Sequence, residues 1–244
     1  MSSRPRAAAT GRPAQSPARP TATGRKTAST PAASQVKAPP KTAYHHGDLA
    51  RALVRSATAL IQRGGPGALT LREAARQAGV SVAAPYRHFA DREALLAAVL
   101  AEGFDGLADH TDRARRRAPD ALAALRAVGL GYVEFAVANP SVYRLMFGPE
   151  CDKQTHPDLM VAGQRAYGVL VQAVRDAQAA GLVQPGPAEV VALAGWSICH
   201  GLASLHADGL LEGRLPLTID QAAQRLVDML LAGAAAPAPP KRRR

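Results

Sequence analysis

Residues 69–81 read LTLREAARQAGVS, and this stretch decides the fold. Thr70 with Glu73 three positions later is the pattern of a capping box, which predicts that a short helix begins here. Gly79 is expected to end that helix, because glycine readily adopts the left-handed conformation that a sharp three-residue turn requires. Ser81 can then cap a third helix that runs to about His88. The stretch therefore predicts two short helices that meet at a sharp angle.

This pair of helices has the order of residues expected for a helix-turn-helix motif. Ala75 is small where the two helices must approach each other, and Val80 and Phe89 are apolar positions expected to be buried. An ordinary helical corner inside a core is the alternative interpretation. The polar tip of the third helix favours a DNA-binding motif, in which the second helix of the pair enters the major groove.

The third predicted helix departs from the ideal pattern at Pro85. This proline lies four residues after Ser81 and has no amide hydrogen to donate to the Ser81 carbonyl, so we expect a loosened start. The side chains of Val82, Ala83 and Ala84 carry no hydrogen-bonding group. Bases near them can be read only by apolar contact, for instance with thymine methyl groups, or through the shape of the DNA.

Helices are also predicted on both sides of this motif. Apolar residues between Leu49 and Ile61 recur at the spacing of one helical face, and the glycines and proline of 64–67 then end that helix. A fourth helix begins near Asp91 and carries Leu96 and Phe104 on one face. Residues 44–104 thus form one helical unit in this interpretation.

This unit resembles the DNA-binding domain of the TetR/AcrR family of transcriptional regulators. The resemblance rests on 69–81, on YRHF at 86–89 and on DREALL at 91–96, and it covers about residues 44–104. It implies a three-helix DNA-binding head. The residues implied for phosphate contacts are Thr70, Tyr86, His88 and Arg92, and those implied for base contacts are Arg72, Ser81, Val82, Ala83, Ala84 and Arg87. Arg92 stands where the family usually has lysine, and either cation can bind a phosphate.

The second part of the chain, residues 105–233, shows no alternation typical of strands, so an all-α fold is predicted. Asn139-Pro140 ends one helix, a short segment follows at 141–147, and His156-Pro157 opens a long helix that Gly181 ends. The last two helices are predicted at about 187–207 and 218–231. The resemblance implies that this body binds a ligand and that its last two helices form a four-helix interface in a homodimer.

The helix predicted at 187–207 is apolar on two sides and must bury both. Its run WSICHG at 196–201 resembles the WHG-type C-terminal domain of one TetR subgroup. Trp196 and His200 can be packing or interface residues, since an aromatic stripe at helical spacing is usually core, or they can border a ligand pocket. The residues assigned to that pocket are Tyr132, Phe135, Tyr143, Met146, Phe147, Tyr167, Trp196 and His200.

Charge separates the chain into a neutral body and basic ends. The chain has 30 Lys and Arg against 19 Asp and Glu, a formal net charge of +11. Twelve of the basic residues lie in 1–43 and 241–244, which hold no acid. Residues 1–43 and 234–244 are expected to be disordered basic tails, because they have too few large apolar side chains to form a core. The first tail also has the composition of a transit peptide, but its many prolines disfavour an amphipathic helix.

Composition and motifs argue against several other classes. The longest uncharged apolar stretch, 190–207, contains two His and two Ser, so no membrane span is expected. Two cysteines form neither a disulfide framework nor a zinc pair, which fits a reducing cytoplasm. No hydrolase, nucleotide-binding or metalloprotease motif is found, and His45 and His46 point apart on a helix. Neither catalysis nor a cofactor nor a metal is expected.

The function that these features favour is a ligand-responsive transcriptional regulator, most simply a repressor. It would bind a palindromic operator in double-stranded DNA as a homodimer, and an unknown small-molecule inducer would release it. Two alternatives stay open on the residues alone. One is a protein that binds DNA through its tails without sequence preference, and the other is an α-helical enzyme that uses His200 or Cys199.

Overall fold

The computed structural model describes residues 46–214 and 216–235, with side chains from Asp48 onward. The tail expected at 1–43, His45 and residues 236–244 of the second tail lie outside the described residues. Within the described part the chain is all-α, as predicted, and its one β-type contact is an isolated bridge between Val183 and Ala235. Ala234, the first residue of the predicted second tail, belongs instead to the last helix.

Eight α-helices follow one another along the described chain. They are α1 (His46–Gly64), α2 (Leu71–Gln77), α3 (Arg92–Arg117), α4 (Ala121–Ala138), α5 (Pro140–Phe147), α6 (Pro157–Ala179), α7 (Ala188–Ala207) and α8 (Ile219–Ala234). Short 3-10 turns occupy Pro66–Ala68, Pro85–Arg87 and Lys153–Thr155. Most boundaries fall where the sequence places a capping residue, a glycine or a proline.

The start of α2 is capped by Thr70, whose Oγ1 accepts the N–H of Glu73 at 3.0 Å. A capping box also requires the Glu73 side chain to accept the backbone N–H of Thr70, and this half of the prediction is wrong. The Glu73 carboxylate accepts instead from the Arg76 guanidinium at 2.6 Å, because a charged donor one turn along the helix competes well for it. After α2, Gly79 has a φ of 70°, the left-handed conformation predicted for it, and the chain turns sharply there.

The third helix predicted at 81–88 is wrong. The chain makes consecutive turns there, followed by the 3-10 turn Pro85–Arg87. The N–H of Ala84 donates to the Ser81 carbonyl at 3.0 Å, and the N–H of Arg87 donates to the Ala84 carbonyl at 3.3 Å. The physical reason is Pro85, which cannot donate to Ser81 and so prevents the α-helical pattern from starting. The loosening expected at the first turn affects the whole segment, which we call the recognition segment (residues 81–88).

Two large cores and one small apolar cluster hold the described helices together. The first joins α1, α2 and the first half of α3 to α5 and the start of α6, with Leu53, Leu96 and Met146 among its fully buried side chains. The second lies between α4, α6, α7 and α8 and includes Val133 and Val174. Helix α3 borders the first core along its N-terminal half and packs against α4 and α6 beyond it.

Helices α4 and α7 are long and apolar enough to span a membrane by composition, with mean hydropathies of 1.5 and 1.4. Helix α4 contacts α3, α6, α7 and α8, so it is the central helix of the second bundle. The apolar composition of α4 is therefore that of a core helix.

Candidate nucleic-acid interface and internal cavity

Most residues that the resemblance assigns to DNA contacts lie on the surface around the turn between α2 and α3. Tyr86 is 60% exposed. Ala84 and His88 are only half-buried, and the other exposed members of the set are Thr70, Arg72, Ser81, Val82, Ala83, Arg87 and Arg92. The recognition segment is anchored beneath this surface by Phe89, which is buried in the first core, and by the half-buried Val80. Their roles in DNA contact stay predictions.

Arg92 has a structural role that the sequence did not predict. Its Nε donates to the carbonyl of Leu69 at 3.0 Å, and a terminal guanidinium nitrogen donates to the carbonyl of Pro66 at 2.7 Å. The first turn of α3 is thus tied to the segment that precedes α2. Because a guanidinium has five donors, Arg92 can hold these two carbonyls and still present N–H groups to a phosphate.

The body contains a cavity of about 480 Å³ between helices α3 to α8, a size suited to a small molecule. Its wall is almost entirely apolar. The helix residues of the wall include Phe104, Leu107, Leu125, Val128, Leu170, Val174, Val191, Val227, Leu230 and Leu231. A ligand held there would be bound chiefly through burial of its own apolar surface.

The predicted pocket residues divide into two sets. Those that line the cavity are Tyr132, Met146, Phe147, Tyr167 and Trp196, and those that do not are Phe135, Tyr143 and His200. The ring of Phe135 lies 3.4 Å from where a Cβ on Gly106 would be, between α4 and α3. Tyr143 and His200 lie behind the wall, in contact with Tyr132.

A chain of polar contacts crosses this aromatic wall. The indole N–H of Trp196 donates to the hydroxyl of Tyr132 at 3.3 Å. The hydroxyls of Tyr132 and Tyr143 lie 2.9 and 2.7 Å from Nδ1 of His200, and 3.3 Å from each other. Nε2 of the same ring lies 3.5 Å from Oγ of Ser204. Neutral His200 with its proton on Nε2 satisfies every one of these groups, because Nδ1 then accepts from a tyrosine hydroxyl.

Burial reinforces this neutral arrangement. Desolvation raises the pKa of Tyr132 and of Tyr143, so both hydroxyls stay protonated and able to donate. Desolvation also lowers the pKa of His200, which keeps Nδ1 available as an acceptor at neutral pH. The cavity wall is held by a hydrogen-bonded network without net charge.

We expect the free energy of unfolding to fall as the pH drops below about 6.5, the ordinary pKa of histidine. The folded-state pKa of His200 is depressed, so the unfolded chain takes up the proton first. His200 therefore reduces stability from about pH 6.5 down to its folded-state pKa and has no such effect above that window. Urea unfolding at pH values on both sides of this window, for the native chain and the variant His200→Asn, measures the contribution.

The variant His200→Asn keeps an acceptor near the position of Nδ1 but cannot be protonated there. Its free energy of unfolding should depend less steeply on pH than that of the native protein. His206→Asn, on the exposed end of the same helix, should leave the dependence nearly unchanged. If the free energy of unfolding depended on pH equally in the native chain and in His200→Asn, the assignment of this dependence to His200 would be contradicted.

Cys199, the other residue considered for catalysis, lies in the cavity wall but is poorly suited to it. Burial raises the pKa of its thiol to about 11, so the nucleophilic thiolate is scarce at neutral pH. His200 faces two tyrosine hydroxyls. The sequence alternative of an enzyme that uses Cys199 or His200 therefore gains no support from this geometry.

Two polar side chains of the cavity wall were missed by the sequence interpretation. The hydroxyl of Thr111 donates to the carbonyls of Leu107 and Ala108 within its own helix. Nζ of Lys153 donates to the carbonyl of Gly148 at 2.7 Å. Nothing local in the sequence distinguishes Lys153 from a surface lysine, since its place in the wall depends on how the segment between α5 and α6 packs.

One face of α7 carries apolar side chains that no other described element covers. Val190 is 64% exposed and Leu193 is 52% exposed, and Leu205 continues the same face. Gly201 lies between them, and a Cβ added there would meet nothing within 4 Å. On α8, Met229 is 70% exposed. These residues form what we call the open face of α7 and α8.

Comparison with known proteins is consistent with this architecture. Residues 53–99 match the family model of bacterial regulatory proteins of the tetR family, and residues 125–230 match that of a tetracycline repressor-like C-terminal domain. An HTH-type transcriptional regulator of Mycobacterium tuberculosis strain H37Rv is 34% identical over 129 residues, which are 50% of this chain and 52% of that protein. The chain thus spans about half the length of the curated relatives that it matches.

Solved structures show the same fold. A protein of unknown function from Rhodococcus sp. RHA1 is 37% identical, with a TM-score of 0.71, and the match covers 80% of this chain and 100% of that one. A TetR family transcription regulator from Marinobacter aquaeolei VT8 is 20% identical, with a TM-score of 0.59 over 78% of this chain and 96% of that one.

Proposed function

We propose that this chain, which belongs to the TetR family of helix-turn-helix transcriptional regulators, is a cytoplasmic repressor that binds a palindromic operator as a homodimer and is released from it by a small apolar molecule. One observation carries the proposal. Helix α3 is continuous over 26 residues, and it belongs to the DNA-binding head at one end and to the cavity wall further along.

The continuity of α3 links the two proposed sites. Leu95, Leu96 and Leu100 pack into the core of the head, whereas Phe104 and Leu107 line the cavity. A ligand that pushes these cavity side chains outward can therefore shift the helix that supports the head. Release from DNA requires only that the ligand bind the displaced arrangement more tightly than the original one.

The chemistry of the cavity wall supports an apolar ligand with few polar groups. The hydroxyl of Tyr167 donates to the carbonyl of Glu189 at 3.2 Å, and the hydroxyl of Thr111 and the ammonium of Lys153 also bond to backbone carbonyls. Because these polar groups already have hydrogen-bond partners, a polar ligand would gain little affinity by bonding to them. A ligand with a single acceptor near Lys153 fits best, since an ammonium has two further donors.

The open face of α7 and α8 supports the homodimer. Exposed apolar side chains that recur along one helical face are typical of a surface that another subunit covers. Val190, Leu193 and Leu205 follow that spacing, and the small residue Gly201 permits close approach of a partner helix. Two heads fixed in one dimer can enter successive major grooves about one helical turn apart, which gives the operator its two-fold symmetry.

We expect Arg87→Ala to weaken operator binding by about 1–3 kcal/mol if Arg87 contacts guanine, with relaxed preference at one base pair. A uniform loss across sequences would instead assign it to a phosphate. Tyr86→Phe, which removes one exposed hydroxyl, should also weaken binding without unfolding the protein. Arg113→Ala, an exposed arginine in the second half of α3, is the matched control. Unchanged affinity in folded Arg87→Ala would remove the recognition segment from DNA contact.

Selection of bound fragments from sheared genomic DNA, in excess competitor DNA, tests the proposal as a whole. The expected result is a short motif with two symmetric half-sites. Binding that depends on fragment length and salt but not on sequence would support the alternative of a non-specific DNA-binding protein. The genes beside recovered sites would also identify what is repressed.

Ligand binding has a built-in probe, because Trp196 is the only tryptophan and lies in the cavity wall. A neutral apolar dye such as Nile red should quench its emission by energy transfer as it fills the cavity. Gly163→Phe should raise the dye concentration needed for half-maximal quenching at least about tenfold, because the added ring occupies part of the cavity. Gly168→Phe, five residues further along α6 and outside the wall, is the control. Equal quenching in both variants would place the dye elsewhere.

A further inference from the structure

A carboxylate, a thiol and an imidazole meet beside the first turn of α3. Glu93 lies in that turn, and Cys151 and His156 lie in the segment between α5 and α6. One ligating atom from each of the three lies within 4.8 Å of the other two. Oε1 of Glu93 is 3.8 Å from Nε2 of His156. Because Glu93 and Cys151 are far apart in sequence, no local motif reveals this cluster.

We propose that Glu93, Cys151 and His156 bind a divalent transition-metal ion of the zinc class. Thiolate sulfur, imidazole nitrogen and carboxylate oxygen are the donors that Zn²⁺ takes in proteins. Cys151 is buried, whereas the side chain of His156 is partly exposed and that of Glu93 is about half exposed. The ion would therefore be held from beneath by the sulfur, and its fourth position would face solvent, where a water molecule can complete the coordination.

The geometry needs only a small adjustment to close around an ion. Bonds of about 2.0–2.3 Å in a tetrahedral site place the donor atoms roughly 3.3–3.8 Å apart. The three separations, each at most 4.8 Å, must therefore shrink by no more than about 1 Å, and small rotations of the partly exposed Glu93 and His156 side chains can supply this. The ion binds the thiolate, so the proton of the Cys151 thiol passes to solvent on binding.

A second contact prepares the carboxylate for this role. Oε1 of Glu93 accepts the backbone N–H of Asp152 at 3.1 Å, which fixes the carboxylate beside the segment that holds Cys151. Each carboxylate oxygen has two lone pairs, so Oε1 and the other oxygen both remain available to the ion. Hydrogen bonds of this kind orient metal ligands and are common around metal sites.

The site would add a metal cross-link between two parts of the molecule that already share the hydrogen bond from Asp152 to Glu93. Glu93 lies in the first turn of the helix that supports the head, and Lys153, two residues after Cys151, lines the cavity. A bound ion would cross-link the start of α3 to the segment that closes the cavity. Metal binding by the folded chain also stabilises it, in proportion to the logarithm of the metal concentration above the dissociation constant.

Titration of the metal-free full-length chain with Co²⁺, an optical substitute for Zn²⁺, tests this site without DNA or any inducer. The expected result is one ion per chain with thiolate-to-cobalt charge-transfer absorption in the near ultraviolet, abolished in Cys151→Ser. Glu93→Gln and His156→Gln should weaken binding at least about 100-fold, more than the loss of a supporting contact around a metal site. Zn²⁺ should displace the Co²⁺, since it binds such donors more tightly.

The chain offers matched controls for each ligand. Cys199→Ser changes the other cysteine, which is buried in the second core, and His206→Gln changes an exposed histidine of α7; both should bind Co²⁺ like the native chain. Absence of the charge-transfer band in the native chain, or its persistence in Cys151→Ser, would overturn the proposal. If Cys151→Ser fails to fold, as judged by circular dichroism, unchanged binding in the more exposed variants Glu93→Gln and His156→Gln would overturn it as well.

Discussion

Gly201→Leu is expected to convert the protein to monomers and to weaken operator binding at least about 100-fold, because a single head loses the contacts of its partner. Within one chain a Cβ at Gly201 meets nothing within 4 Å, so we expect the protomer to fold with the substitution. In a dimer that packs through the open face of α7 and α8, the leucine side chain would occupy space that the partner helix needs.

Sedimentation and operator titration of the same preparation measure both effects. Gly168→Leu is the matched control, because Gly168 lies on the exposed side of α6 and its Cβ position is also open. It should remain dimeric with native affinity. A Gly201→Leu protein that stays dimeric and binds the operator normally would place the interface elsewhere and contradict the proposed assembly.

Gly103→Leu is expected to lower the free energy of unfolding by about 3 kcal/mol, the upper end of the usual cost of overpacking a core. Gly103 lies where α3 crosses α5, and a Cβ there would be 3.0 Å from Sδ of Met146 and 3.1 Å from Cγ1 of Val142. Both neighbours are buried in the first core, so four added carbons have no space.

Urea unfolding followed by circular dichroism measures this loss. Gly106→Leu is the comparison, because its nearest neighbour is the ring of the half-buried Phe135 at 3.4 Å, so it should destabilise the fold less. Any Gly103→Leu protein that folds should bind operator poorly, since separation of α3 from α5 displaces the head. Native stability in Gly103→Leu would show that this junction is loosely packed.

Local signals predicted most of the fold. Thr70 and Gly79 set the ends of α2 as expected, because capping and left-handed turns depend on residues only a few positions apart. The recognition segment was predicted less well. The sequence interpretation treated Pro85 as a defect of the first turn, whereas in the structure the missing donor leaves turns and a 3-10 segment throughout residues 81–88.

The cavity wall was harder to predict, because its members depend on which side of a helix faces which neighbour. Tyr132 and Phe135 are three residues apart on α4, so their side chains diverge by about 60°. That difference directs Tyr132 toward α7 and Phe135 toward α3. The bonds from Tyr132 and Tyr143 to His200 join residues far apart in sequence, and no periodic pattern encodes such a contact.

The unbroken course of α3 also sets the scale of motion that could separate the protein from DNA. About 15 residues separate Leu107 from Arg92, which is roughly 22 Å at 1.5 Å per residue. A tilt of about 5° around the cavity end would carry the head end roughly 2 Å sideways, and two such tilts would change the separation of paired heads by about 4 Å. Hydrogen bonds to bases and phosphates tolerate only a few tenths of an ångström. In the proposed dimer each α3 would act as a lever arm, and a shift at each cavity smaller than the diameter of one side chain would put the two heads out of register with the grooves.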